Sequence, residues 1–430
     1  MCVEAVPPPS RSLTRRGVLA GAAALAGTLA AAGPVAAAGD DTAASARRTL
    51  GAPGRPGRLV IRGGTLLDPA TGEVTEDAVV VIEDGTVRAT GRRGDVAVPK
   101  GVEVLDAHGR WILPGLVDAH IHLSTAAEAR DAVRKGATSA RSGSTSFYQD
   151  IAVRELARHS PALAPRLRAA GVFVTPNLGD TVLADPDLTP LAGLRDGVRT
   201  TDALRRVVEV NVARGADVIK TRVNERAGLP EQDPLAQVYS REQLAEIVAA
   251  AGRRGKGVLC HSYSEQGCHD AVMAGVRSLE HGVFVGERTL REMRRRGTCF
   301  TPTLTAIAGL AESSDPILAE RGRAYLPVLE RAVLAAHELG VPLAAGTDSS
   351  GGVVDPIGGE VELMHAAGLS TLDAIRTATT GAARLLGLER TAGRLARGYA
   401  GDAILLDGDP LTDLGVLKQP VAVVHAGVLV

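Results

Sequence analysis

The chain has 430 residues, 45% of them hydrophobic, with 48 basic residues against 49 acidic ones. That length and apolar content suffice to bury a large core, which excludes a disordered chain. Charges that nearly cancel exclude a basic nucleic-acid surface and an acidic interaction tail, so partners are to be sought as small molecules in sites.

In chain order, the first element is a leader. Ser12-Leu13-Thr14-Arg15-Arg16-Gly17-Val18-Leu19 sets two arginines before an Ala/Gly/Leu stretch, and Ala36-Ala37-Ala38 offers small residues for cleavage. The segment resembles a twin-arginine export signal, which implies an exported protein. Gly17 to Ala38 is too weakly apolar for a comfortable span of ~20 residues, so cleavage after residue 38 and no stable membrane insertion are expected. Residues 39–57, rich in Ala, Arg, Gly and Pro, read as a linker. Beyond the leader lie three cysteines, Cys260, Cys268 and Cys299, an odd number without paired spacing, which suits buried thiols better than a disulfide scaffold.

Residues 58–113 carry short β-rich runs such as Leu59-Val60-Ile61-Arg62 and Ala78-Val79-Val80-Val81-Ile82, separated by turns such as Asp84-Gly85. Residues 391–430 repeat the style in Asp402-Ala403-Ile404-Leu405-Leu406 and Val421-Ala422-Val423-Val424-His425. A small β-sandwich domain built from both chain termini is the expectation. Over residues 114–390, apolar strands alternate with helical patterns, the signature of parallel α/β architecture. Eight candidate strands start at Leu116, Thr138, Leu167, Asp217, Gly257, Ser278, Cys299 and Pro342. The expected fold class is therefore α/β, a (β/α)8 TIM-type barrel, and its chemistry belongs at the carboxyl ends of the strands.

Polar residues gather at those ends. His120 and His122, two apart on the first strand, point to one face and can reach one metal. Lys220 closes the fourth strand, His261 the fifth, His281 the sixth and Asp348 the eighth. Imidazoles and a carboxylate suit a borderline divalent metal such as zinc, with one position left for a water. The metal-activated hydroxide would attack a carbonyl while Asp348 collects and returns the proton. Lys220 is one of only five lysines among the 48 basic residues. A primary amine can take up CO2, and the carbamate so formed has two oxygens able to span two metals. The alternative is a lysine bonded to nearby carboxylates.

Leu113-Pro114-Gly115-Leu116-Val117-Asp118-Ala119-His120-Ile121-His122 resembles the opening signature of the amidohydrolase superfamily. Gly215-Ala216-Asp217-Val218-Ile219-Lys220, Ser278-Leu279-Glu280-His281-Gly282, Gly346-Thr347-Asp348 and Gly401-Asp402-Ala403-Ile404 resemble its imidazolonepropionase-like and Xaa-Pro dipeptidase-like branch. The resemblance implies two divalent metal ions. His120 and His122 would hold the more buried one, His261 and His281 the second, and Asp348 the first metal together with the nucleophilic water. Lys220, carbamylated, would bridge both.

Residues two beyond a ligand on a strand share its inward face, which singles out Arg222 and Tyr263. A guanidinium fork and a phenol suit a carboxylate or a developing oxyanion, so a small acidic substrate such as a dipeptide or N-acyl amino acid is the expectation. The alternative pairs Arg222 with Glu225 or Asp217 and packs Tyr263 simply as an aromatic. Two features depart from the family pattern: the short segment from Leu123 to Lys135, and Thr221-Arg222-Val223-Asn224-Glu225 where a glycine-rich stretch is usual. Two other functions remain open on the sequence, a mononuclear imidazolonepropionase-like cyclic-amide hydrolase and a catalytically silent metal-containing binding protein. The sequence also leaves a homo-oligomer open.

Overall fold

The computed structural model describes residues 57–430. The expected leader and nearly all of the expected linker lie outside the described residues. Among the described residues, no helix is long and apolar enough to cross a membrane.

The first strands are β1 (Leu59–Leu67), β2 (Val74–Glu83), β3 (Thr86–Arg92), β4 (Glu103–Asp106) and β5 (Trp111–Pro114). Asp84 and Gly85 both take positive φ, 50° and 67°, and join β2 to β3 as a two-residue hairpin whose twist matches the strands. From the other end of the chain come β13 (Ala403–Leu406), β14 (Ala422–His425) and β15 (Val428–Leu429). All eight strands form one mixed sheet in the order β15-β14-β13-β5-β1-β2-β3, with β4 beside β1. The two termini meet where β13 runs antiparallel to β5, Ile404 opposite Leu113. Ile61, Val80, Ile82, Leu405 and Val424 share one core there, the inward half of the alternation visible in the sequence.

The remaining strands are parallel. β6 (Leu116–Ile121), β7 (Ala137–Ser142) and β8 (Arg166–Arg168) make one sheet, and β9 (Ile219–Arg222), β10 (Val258–Ser262), β11 (Ser278–His281) and β12 (Cys299–Thr301) another. Their starts fall within two residues of the expected ones. The eighth expected strand, at Pro342, is instead a single parallel bridge between Leu343 and Phe300. Its backbone also touches β6: Ala119 N donates to Ala345 O at 2.9 Å, and Asp348 N to His120 O at 2.7 Å. A second parallel bridge, Val174 to Thr221, connects the two sheets through the segment after β8. β6, β7, β9, β10, β11 and β12 are buried along their whole lengths, the reason they read as apolar runs rather than alternations.

The crossover helices start at side-chain caps. Thr200 accepts from Ala203 N ahead of the helix Thr201–Arg214, which Gly215 ends at φ 101°. Ser240 and Gln243 close a capping box on the helix Arg241–Gly252. Short, firmly ended helices return the chain to the strand starts and leave the strand ends to carry polar groups.

Candidate metal centre

His120 lies on β6 and His122 one residue past its end, and both turn Nε2 toward Asp348. The Nε2–Oδ1 separations are 3.3 Å from His120 and 3.0 Å from His122. Ligand atoms of these three residues all lie within 4.8 Å of one another. The opposite ring nitrogens fix this orientation. His122 Nδ1 is 2.6 Å from Ser144 O, and since a carbonyl can only accept, that nitrogen carries the proton and the Nε2 lone pair faces Asp348. His120 Nδ1 lies 2.6 Å from Glu280 Oε2. Burial alone would raise the Glu280 carboxyl, but Arg141 and His120 outweigh it and hold it well below the usual carboxylate range. Arg141 reaches Glu280 at 2.9 Å and donates to Ser278 Oγ and Ala119 O. Such outer partners orient metal-binding imidazoles and raise their basicity.

Gly143, just past β7, closes the cluster from the side. A Cβ there would stand 2.5 Å from His122 Nε2 and 2.6 Å from His120 Nε2. The space that both imidazoles face is thus kept open by a missing side chain.

The structure also brings the other sequence-selected residues to this end of the strands. Lys220 Nζ on β9 is fully buried and 3.0 Å from His120 Nε2. Among the described residues no carboxylate lies within ion-pair distance of it, so the expected alternative, a lysine bonded to carboxylates, is not what is found. His281, the last residue of β11, has Nδ1 2.7 Å from Thr303 Oγ1, and its ring centroid is 5.3 Å from that of His120. His261 on β10 lies edge-on to His281 at 4.5 Å, with Nε2 3.0 Å from Glu225 O. Tyr263 stacks on His281, 5.3 Å between centroids and 7° between planes. Arg222, ending β9, pairs with Glu225 at 2.8 Å, one of the two partners weighed from the sequence.

Several residues at the centre were not singled out by the sequence. Phe173 lies near both cations, its ring centroid 5.6 Å from Lys220 Nζ and 5.9 Å from Arg222 Cζ. In a chain with four phenylalanines, its place between candidate strands was the available signal. Asp118 ties β6 to the Asp348 segment, accepting from His120 N, Thr347 N and Thr347 Oγ1. Burial pushes its carboxyl up to about 6 against those bonds. Arg141 and Glu280 carried no spacing signal, because their partnership joins residues 139 positions apart.

A family model described as the amidohydrolase family matches residues 111–430. The chain belongs to this family. It is a hydrolase of carbon–nitrogen bonds, as the resemblance of its motifs implied. Among curated proteins it is 28% identical to ochratoxinase of Aspergillus niger over 406 residues, 84% of this chain and 83% of that one. Among solved structures, a Xaa-Pro dipeptidase with methionine in its active site superposes with a TM-score of 0.77 at 24% identity, covering 87% of this chain and 99% of that one. A prolidase complexed with N-methylphosphonate-L-proline gives 0.74 at 26% identity, with coverage of 87% and 99%.

Proposed function

We propose that this amidohydrolase is a metal-dependent hydrolase that cleaves an amide or peptide-like bond of a small, carboxylate-bearing substrate such as a dipeptide or N-acyl amino acid. The observation that carries the reading is the convergence of His120 Nε2, His122 Nε2 and Asp348 Oδ1, with each opposite ring nitrogen already engaged. Two imidazoles and a carboxylate with an open side fit a catalytic zinc-like ion, and the gap at Gly143 gives such an ion room. When bound, the metal supplies a Lewis acid for the substrate carbonyl and activates water near neutral pH. The two parallel sheets with their connecting bridges support a closed (β/α)8 barrel whose strand ends present these groups. The reading assigns residues 114–390 to that barrel and the terminal sheet to a second domain.

A second ion would be held by His261 through Nδ1 and His281 through Nε2, since Glu225 O and Thr303 Oγ1 engage their other nitrogens. Lys220, as a carbamate, would supply the oxygens that such ions need beside the four imidazoles. What supports this is a fully buried amine with no carboxylate at ion-pair distance: an ammonium so placed is costly, whereas the neutral amine, on bonding Nζ to CO2 and releasing one N–H proton, becomes a carbamate anion beside the ligands. Asp348 takes the proton of the attacking water and returns it to the departing nitrogen. Tyr263 donates its hydroxyl toward the developing oxyanion. Arg222 exchanges Glu225 for the substrate carboxylate, an exchange of like partners on one guanidinium fork. The prolidase complexed with N-methylphosphonate-L-proline, 26% identical, supports a small substrate that carries a carboxylate. The leader of the sequence supports an exported enzyme.

One observation favours a second reading. The only metal-sized group among the described residues is the three-membered one, as in a mononuclear cyclic-amide hydrolase with Lys220 an amine. Elemental analysis of leaderless protein expressed with bicarbonate, beside Lys220→Ala, separates them. Two metals per chain falling sharply in the variant supports the bridged centre; one metal in both supports the mononuclear one. No metal in the wild type sinks the metal-dependent reading.

A further inference from the structure

The starts of β9, β10 and β11 enclose a cavity of about 200 Å3, at the opposite ends of the strands that carry Lys220, His261 and His281. Arg141, Arg168, Lys256 and Arg277 line it, with Asp217 the single carboxylate. Asp217 is already engaged, by Arg154 at 2.7 Å and by Ala169 N at 3.0 Å. Arg141, nine-tenths buried and more, has its charge met by Glu280 on its far side. The other three cations have no carboxylate partner among the described residues. Arg168 donates to Leu386 O at 3.2 Å, and Lys256 is one of only five lysines in the chain. Single unpaired cations on a surface are ordinary. Three around one concavity with apolar walls, Val258 and Leu386 among them, focus a positive potential into a space that holds one small group.

We infer that this cavity is a binding site for a small phosphate-class anion. Three uncompensated charges match a tetrahedral oxyanion of charge near −2 better than a single carboxylate. Two guanidinium forks and one ammonium are the donor set proteins use for phosphate. The volume takes inorganic phosphate or the phosphate end of a small monoester and shuts out a nucleic-acid backbone. An occupant stands against Arg141, the group that also holds Glu280 against His120 Nδ1 at 2.6 Å. The site is thus separated from the metal centre by one guanidinium and one carboxylate.

The test is isothermal titration of the full chain with inorganic phosphate and, separately, with glycerol 3-phosphate at fixed ionic strength. It is run on the wild type, on a Lys256→Gln/Arg277→Gln double variant and on Asp348→Asn. Both cavity side chains reach solvent, so the double variant keeps the fold. Saturable binding that weakens at least tenfold in the double variant and persists in Asp348→Asn establishes the site. Tighter binding of the monoester assigns it to an organic phosphate, and tighter binding of the free ion to phosphate itself. No saturable binding, or equal binding in the double variant, overturns the inference. Binding lost only in Asp348→Asn also overturns it, by moving the anion to the metal centre, and leaves the hydrolase reading standing.

Discussion

Gly143→Ala tests the metal centre with one methyl group. The added Cβ would lie 2.5 Å from His122 Nε2 and 2.6 Å from His120 Nε2, where ordinary van der Waals contact begins at 3.4 Å. Each imidazole must therefore withdraw by about 0.8–0.9 Å. Metal ligands tolerate deviations of only about 0.2 Å, so the displacement exceeds the tolerance roughly fourfold. Disturbing even an outer partner of a ligand costs about 10–100-fold in metal affinity, and moving two ligands together should cost at least the upper figure, ~2.8 kcal/mol. Gly143 is outside the left-handed region, so alanine adds no backbone strain, and overpacking should cost only about 1–3 kcal/mol of stability. The assay is metal content and affinity of the purified variant, with thermal melts alongside. Gly309→Ala, in the helix Leu304–Ala311 where a Cβ meets nothing within 4 Å, serves as control and should gain up to about 1 kcal/mol. Wild-type metal affinity in Gly143→Ala would show that no ion occupies the space between the two imidazoles.

Further predictions concern the supports and the chemistry. Glu280→Gln leaves the buried Arg141 charge without its counterion and should destabilise the fold by about 3–5 kcal/mol in urea unfolding, with weaker metal binding; a loss below ~1 kcal/mol refutes the role given to this pair. Burial would raise Asp402, yet Arg166 at 2.8 Å and His425 at 2.9 Å hold its carboxyl well below the usual range. A depressed carboxyl stabilises the fold above its unfolded pKa of ~3.9 and loses that contribution as pH falls toward the folded value. The stability gap between wild type and Asp402→Asn should therefore shrink between pH 6 and pH 3, and a gap that widens contradicts it. Tyr263→Phe keeps the ring stacked on His281 and should keep full metal content while kcat drops by about 10²–10³; an unchanged kcat makes Tyr263 a packing residue.

How much of this was legible in the sequence depends on the range of each interaction. The His120/His122 pair needs only the period of a strand, and Lys220, His261 and His281 needed only the positions of strand ends. All of these could be singled out without coordinates; the caps at Thr200 and Ser240, which act within three residues, were not read from the sequence. The eighth strand was harder. Pro342 lacks an N–H, and the segment after it, Leu343 to Asp348, forms one bridge to Phe300 of β12 and two hydrogen bonds to β6, through Ala345 O and Asp348 N, instead of a ladder. Arg141 with Glu280, and Asp118 with Thr347, were invisible because each joins residues more than 130 positions apart. The Arg222–Glu225 pair, three residues apart, was foreseeable and was weighed; only the structure showed that it forms.

The centre also holds a feature that no residue type announces. Ser144, His281, Thr303 and Asp348 all take positive φ, 93°, 66°, 53° and 56°, without being glycine. Conformations of this kind cost about 1–3 kcal/mol each and persist only where the surroundings over-determine them. Here the surroundings do so one by one. Ser144 N donates to Ser142 Oγ while its carbonyl accepts from His122 Nδ1; Asp348 N donates to His120 O; Thr303 Oγ1 meets His281 Nδ1. Glu360 then fixes the chain after Thr303 by accepting from Leu304 N and Thr305 N. The strained residues are the ligand candidates or their direct partners, which makes strain and ligand geometry one arrangement. Relaxing any of the four would turn a side chain away from the others, so part of the fold's own stability goes into holding these groups together.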